Sequence, residues 1–443
     1  MSTPDISIMS SKEFLSKDTY LTPRECEGKI ESTDAPEWLT ISYLERCLRI
    51  YHKDKHLKIR RLHIKPALGK GENFGGVMTR ISVDYHTSNG TNAIGRYIVK
   101  SSFEGDEASC KLMEPFDMFN REMNIYEQVL PKLNELLHEI GDNDQIFCET
   151  MAVDRQRSAL IFEDLNVRDF MMPNRLEGLN MRLAKMVLRK LAKIHATSAV
   201  LNERENGCLE SYDCGLFNHH TDNYMPGFEG IFVACNRRVA QWEGYEYYAR
   251  KLQNLQSKYI EFGKKMFEPT PGYVNVLAHG DIWTNNVMVK YDKQTGEPLD
   301  VIIIDFQYSV WTSPALDLHY FINTSLNEDL HLNLHKQDEL IHCYYDTFSD
   351  TLRKLKYKSF IPSLHKFHIH LDEKKFYAFH TTCVVLAIQR NEDNEDADFK
   401  NIMQTDERAT RFKDTCFKNP YVQRIIKQLL PFYDRRGLLE VMQ

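Results

Sequence analysis

The sequence predicts an α+β fold with two lobes, a small β-rich one followed by a larger α-rich one. Three observations carry this prediction. Across residues 57–100 apolar side chains recur with a period of two, and VMTRISVDY sets Val77, Thr79, Ile81 and Val83 on one face. From Ser313 to the C-terminus the apolar spacing is mostly helical. Between these regions a polar loop, HGDIWTNN at 279–286, interrupts two apolar runs that read as strands.

The 443 residues, 42% hydrophobic and 27% charged, supply ample material for a core. The net charge of −7 offers no basic footprint, so no nucleic-acid partner is expected. The opening MSTPDISIMSSKEFLSKD lacks the basic flank and apolar stretch of a signal peptide, and no apolar run reaches the roughly 18 residues of a membrane span. The ten cysteines are scattered without a C-x-x-C pair. They read as reduced thiols of a cytoplasmic protein, their spacing suggests no zinc site, and no obligate protein partner is evident.

Taken in order, residues 1–35 are polar and read as loosely held. A helix follows, with Asp34 as N-cap, Pro36 in its first turn, and Leu44, Cys47, Leu48 and Tyr51 on one face. Two strands come next, joined by HTSNG, where Asn89-Gly90 signals a hairpin turn. A helix over residues 115–137 and a strand in SALIFEDL complete the first lobe, 36–163. The second lobe, 164–443, opens with the long helical pattern MRLAKMVLRKLAKIHATSAVL. It contains an aromatic and polar insertion, 202–273, that is largely helical after Val233.

The polar loop carries the chemistry. VMVKY, the turn DKQTGEP and LDVIIIDF read as a hairpin that sets Asp305 beside Asn286, with Asp281 five residues upstream of Asn286. Mg²⁺ takes oxygen ligands, which Asn286 and Asp305 can supply. Phosphoryl transfer also needs a separate carboxylate to orient an attacking hydroxyl and accept its proton, a role that suits Asp281. His279 reads as a brace for the loop.

Such a site implies a nucleotide cradle upstream. ALGKGENFGG carries Gly69, Gly71, Gly75 and Gly76 ahead of a strand and lacks the Gly-Lys-Ser/Thr of a Walker loop, so it fits a flap over phosphates. RYIVK then ends in Lys100. In the next helix Glu122 falls inside the apolar stripe of Phe119, Met123 and Tyr126, which a solvated acid would avoid. A Lys100–Glu122 pair accounts for both residues, with Lys100 holding the α- and β-phosphates. LIFEDL offers backbone at Glu163 and Leu165 for an adenine edge.

HGDIWTNN with IIIDF, ALGKGENFGG, YIVK and the Glu122 helix resembles the ecdysteroid kinase-like family, a branch of the choline/aminoglycoside kinase-like fold related to protein kinases. The resemblance runs from about Trp38 to about Leu430 and implies a protein-kinase-like fold. It also implies an ATP- and Mg²⁺-dependent O-phosphotransferase acting on a hydroxyl of a small molecule. Matching motif to motif, it implies Asp281 as catalytic aspartate, Asn286 and Asp305 as metal ligands, and Lys100 and Glu122 as the phosphate-anchoring pair. Gly69, Gly71, Asn73 and Phe74 would belong to the flap, and Asp317 would brace the loop from a helix start. Phe306-Gln307 stands where protein kinases have Phe-Gly, and no long activation segment follows Asp305, which agrees with the small-molecule branch.

The resemblance implies an ecdysteroid or xenobiotic alcohol as acceptor. Aromatics of the insertion and the C-terminal helices suggest an apolar acceptor pocket: Phe217, Tyr224, Phe228, Phe232, Trp242, Tyr245, Tyr247, Tyr248, Phe376, Tyr377 and Phe379. Two alternatives stand beside this reading. One is a choline- or ethanolamine-like kinase with a cation cage in WEGYE at 242–246; the other is a catalytically silent binding protein.

Overall fold

The computed structural model describes residues 29–31, 36–67, 76–102, 117–392 and 399–440. Asp34 and the flap residues Gly69, Gly71, Asn73 and Phe74 lie outside the described residues. The chain forms two compact units, one of residues 1–64 and 82–95, the other of 65–81 and 96–443.

In the smaller unit the helix Ile41–Tyr51 is capped by Thr40, whose hydroxyl accepts from the Tyr43 N–H at 3.3 Å. The helix therefore begins later than the sequence suggested, because Thr40 offers a side-chain oxygen to the first turn. Leu44 and Leu48 are its buried stripe. Its Glu45 reaches out of the helix to the Ile59 N–H at 2.8 Å and to Arg49 at 2.9 Å. The short strand β1 (Lys29–Glu31) pairs in parallel with Arg61–His63 of β2 (Lys58–Pro66).

Strands β3 (Val77–His86) and β4 (Asn92–Ser101) each pass from one unit into the other. In the larger unit Tyr97–Ser101 of β4 pairs antiparallel with β6 (Ala159–Glu163), which sets Lys100 opposite Leu160. β5 (Thr150–Asp154) lines the other edge of β6, with a bulge between Thr150 and Ala152. A three-stranded sheet has the order β10 (Pro298–Ile303), β9 (Val287–Tyr291) and β7 (Phe170–Met171). β8 (Val276–Ala278) and β11 (Val310–Thr312) form a separate antiparallel pair.

The helix that carries Glu122 runs Met118–Asn124, widens to a π turn at Ile125–Val129, and resumes at Leu130–Glu139. Pro131 explains the widening. It has no N–H to give to the carbonyl four residues back, and its ring crowds that carbonyl. The long helix Met181–Arg204, capped by Asn180 on the Leu183 N–H, packs along Leu334–Lys354.

Most of the aromatics that suggested a pocket instead build the core. Phe232 stacks on Tyr259 with ring centroids 4.3 Å apart, and Phe217, Phe376, Tyr377 and Phe379 are buried around them. Large rings on facing helices gain more from mutual packing than from lining a solvent-filled space. The Tyr224 and Phe228 side chains lie outside the described part.

Three buried histidines contribute strongly to the acid stability. Burial lowers His331 and His380 to about 3 and His319 to about 4. Each stays neutral in the fold and takes up a proton on unfolding near its ordinary value of about 6.5. Stability is therefore fully present above about pH 6.5 and falls as pH drops toward the folded values, by about 1.4 kcal/mol per pH unit for each histidine. Denaturant titrations at stepped pH should show this acid slope, and His331→Gln should flatten it; an unchanged slope in that variant would remove His331 from the account.

Candidate active site

The site grows from the β8–β9 connection in the larger unit. β8 ends at Ala278 and the chain turns at Gly280, whose φ is +80°. A Cβ there would lie 2.2 Å from the Tyr308 carbonyl oxygen, so only glycine fits. Asp317, in the first turn of the helix Ala315–Thr324, accepts the His279 N–H at 2.6 Å and the Gly280 N–H at 2.9 Å. Its Oδ2 also meets His195 Nε2, at 2.9 Å. Burial would raise the Asp317 carboxyl, but its bonds to His195 and the loop hold it below the ordinary carboxylate range.

His279 is fully buried below the loop. Its Nε2 donates to the Ile304 carbonyl at 2.9 Å and its Nδ1 accepts the Asp281 N–H at 3.3 Å. Burial lowers its pKa, which agrees with a neutral ring making one bond from each nitrogen. His279 thus ties the loop to the far strand of the hairpin.

Asp281 emerges above this brace. Asn286 Nδ2 donates to the Asp281 carbonyl at 2.7 Å and to its Oδ2 at 3.0 Å, while the Tyr320 hydroxyl donates to Oδ1. Gln389 Nε2 donates in turn to the Tyr320 oxygen at 3.0 Å. Burial raises Asp281 to about 7, with Asp305 and Asp317 adding to the rise while Tyr320 and Asn286 oppose it.

The hairpin register pairs Ile303 with Val287, and the Ile304 N–H donates to the Asn286 carbonyl at 3.0 Å. Asp305 follows directly, in a left-handed conformation with φ of +68°. A non-glycine residue held there is strained, and such strain persists where neighbours over-determine the geometry. Here the neighbour is Lys100. Its ammonium lies 2.7 Å from Glu122 Oε2, 2.8 Å from Asp305 Oδ1 and 3.3 Å from Gln307 Oε1.

Burial alone would lower Lys100, but the charges of Asp305 and Glu122 outweigh it and hold the ammonium above its ordinary range. Burial raises Glu122, Asp305 adds to the rise, and Lys100 opposes it. Two carboxylates around one ammonium leave the group one negative charge in excess.

Lys100, Glu122, Asp281, Asn286 and Asp305 face one cavity of about 470 Å³, which Glu163 and Leu165 also line. The Glu163 carboxylate is engaged by Gln145 at 2.9 Å, the Glu149 N–H at 3.0 Å and Arg168 at 3.0 Å. The Leu165 N–H has no hydrogen-bond partner among the described residues. Away from these residues the wall is mostly apolar, with Leu216, Ile231, Val384, Val385, Ile388 and Phe412, and it also holds His380 and Asn391.

None of the described aromatics named from the insertion and C-terminal helices lines the cavity. The Trp242 and Tyr247 faces carry Lys427 and Lys251, at 4.8 and 4.9 Å, so they do not form a vacant cation cage. Sequence reasoning missed Tyr320, Gln307 and Gln389. Tyr320 lies one helical turn from Asp317, the one signal that pointed toward it.

A kinase-like family accounts for this chain. The chain belongs to the ecdysteroid kinase-like family, whose sequence profile matches residues 70–357, more than half of its length. Membership indicates a small-molecule kinase. No curated protein sequence matches the chain. Among solved structures, an ethanolamine kinase of Plasmodium vivax is similar, with a TM-score of 0.40 and 14% identity over 85% of this chain and 84% of that one.

Asp317→Asn should cost about 1–3 kcal/mol, because an amide can no longer accept all three N–H groups. Chemical denaturation measures the loss, and an unchanged midpoint would show that the loop does not depend on this carboxylate.

Proposed function

We propose that the protein transfers the γ-phosphoryl group of ATP to a hydroxyl of a hydrophobic small molecule. The observation that carries this reading is the single cavity shared by the Lys100–Glu122–Asp305 group and the Asp281–Asn286 loop. Family membership supports the kinase class.

The donor set fits Mg²⁺. Asn286 uses its NH₂ on Asp281, which turns its amide oxygen elsewhere, and Asp305 gives Lys100 one oxygen and keeps the other. Both remaining donors are hard oxygens, the kind magnesium takes. Bound there, the ion would neutralise phosphate charge.

In this reading Lys100 holds the α- and β-phosphates, oriented by Glu122, and the Leu165 N–H meets the adenine edge. Gly69, Gly71, Asn73 and Phe74, outside the described residues, would be the phosphate flap that the family resemblance implies. Asp281 orients the acceptor hydroxyl and takes its proton, and its raised pKa suits a base working near neutrality. Tyr320 and Asn286 hold the Asp281 carboxylate in position. The mostly apolar wall favours an apolar acceptor such as an ecdysteroid or a xenobiotic alcohol over a quaternary ammonium. A detoxifying role in the cytoplasm suits that acceptor. No disulfide joins the cysteines of the described residues, and no described helix is long and apolar enough to cross a membrane.

The test is a product assay. Protein, Mg·ATP and a panel of ecdysteroids, plant alcohols, choline and ethanolamine are incubated, and phosphorylated products are read by mass spectrometry. A phosphate ester of an apolar alcohol is expected, absent with Asp281→Asn while nucleotide binding persists. Exclusive phosphorylation of choline or ethanolamine would overturn the acceptor assignment, and full turnover by Asp281→Asn would remove the base.

Tyr320→Phe removes one of the two side-chain donors to Asp281. It should lower kcat by about 10-fold to 100-fold with little change in KM for ATP. Steady-state kinetics decides, and an unchanged kcat would make Tyr320 a packing residue.

A further inference from the structure

A second cluster of ligand-type side chains lies outside this machinery. Cys214, His219 and His220 each bring one ligand atom to within 4.8 Å of the others. We propose that these three residues bind a zinc ion, with water as the fourth ligand. One thiolate and two imidazoles suit zinc, whereas the magnesium donors at Asn286 and Asp305 are all oxygen. The C-x₄-H-H spacing contains no C-x-x-C pair, so the cluster is visible only once the chain is folded.

Two further observations point to a ligand. Neither imidazole has a hydrogen-bond partner among the described residues, although the rings lie with centroids 3.9 Å apart. So placed, each ring can offer one nitrogen to the same ion as the Cys214 sulfur. A carboxylate also stands at the thiol, with Asp213 Oδ1 3.2 Å from Cys214 Sγ.

The backbone between the ligands is held independently. The Asn218 N–H donates to Thr221 Oγ1, Asn218 Nδ2 to the Gly215 carbonyl, and the His220 N–H to Asn218 Oδ1, each at 2.7 Å. Both histidines are thus presented on a fixed turn.

Binding is a proton exchange. The Cys214 S–H bond, now donating to Asp213 Oδ1 at 3.2 Å, breaks as the Zn–S bond forms, and the proton leaves to Asp213 or water. The ion would tether a segment that reaches the cavity at Leu216 and is bonded to Arg121, the neighbour of Glu122. Leu216 lines the cavity, and the Cys214 carbonyl accepts Arg121, which also donates to the Ser309 carbonyl at 3.1 Å.

The experiment uses the full chain, stripped of metal and titrated first with Co²⁺ and then with Zn²⁺ in competition. Cobalt on a thiolate gives a sulfur-to-metal charge-transfer band, which cobalt on oxygen ligands at Asn286 and Asp305 cannot give. One equivalent with this band, displaced by zinc, is expected. Cys214→Ser should abolish the band and Cys208→Ser should keep it. His219→Ala, at an exposed position, should weaken binding by about 10-fold or more while the melting temperature of the metal-free protein stays unchanged. No band, a band that survives Cys214→Ser, or unaltered affinity in His219→Ala would overturn the site. None of these readouts depends on phosphotransfer, so failure of the kinase reading would leave the zinc site standing.

Discussion

The Asp317 carboxylate is the constraint on which the loop from His279 to Asn286 depends. It is fully buried and receives two consecutive backbone N–H groups, those of His279 and Gly280, as well as a ring nitrogen of His195 from the long helix Met181–Arg204. A buried charge is tolerated only when its lone pairs are filled, and here the fillers come from two separate elements, the loop and the long helix. Moving any one of them leaves a donor or the carboxylate unpaired. The loop is therefore fixed relative to the helix Ala315–Thr324, and the same helix supplies Tyr320 to Asp281. A single helix positions both the backbone of the loop and its Asp281 side chain.

Lys100 organises the facing wall by a different balance. Removing an ammonium and two carboxylates from water is costly, and their attraction does not guarantee a net gain in stability. Such a group is better understood as a preorganised receptor than as a fastening. One negative charge remains in excess, Asp305 is held in a strained backbone conformation, and Asp281 lies across the same cavity with a raised pKa. The excess carboxylate, and the Asp305 charge that adds to the effect of burial on Asp281, leave room for a further cation. A divalent cation would supply that charge, after which the cavity could accept phosphate oxygens.

The parts of this arrangement legible in the sequence were those tied to local pattern. Alternation marked β3, and an acid inside an apolar helical stripe marked Glu122 as the partner of Lys100. The turn at 292–297 allowed the hairpin register, and hence the neighbourhood of Asn286 and Asp305, to be read directly. Long-range packing was not legible. Nothing in the local pattern of Tyr320, Gln307 or Gln389 separates a residue aimed at Asp281 or Lys100 from one aimed at the core. Aromatic spacing misled for the same reason, since rings such as Phe217 and Phe232 satisfy a helix–helix interface and a pocket equally well in sequence.

The two ends of the cavity are built on different principles. The polar end comes from one hairpin, one strand and one helix face, where each side chain is held by a partner whose loss would be felt as an unpaired charge. The apolar end is assembled from segments far apart in the chain: Leu216, Ile231 in Met225–Val239, Ile388 in Leu386–Gln389, and Phe412 in Glu407–Cys416. Aliphatic contacts are non-directional and tolerate exchanges of similar volume at small cost. Under the proposed phosphotransfer, acceptor choice would therefore shift by substitution at these positions without disturbing Asp317, His279 or Lys100. A chain built in this way fixes its chemistry tightly and its substrate loosely, because directional bonds govern the first and packing volume governs the second.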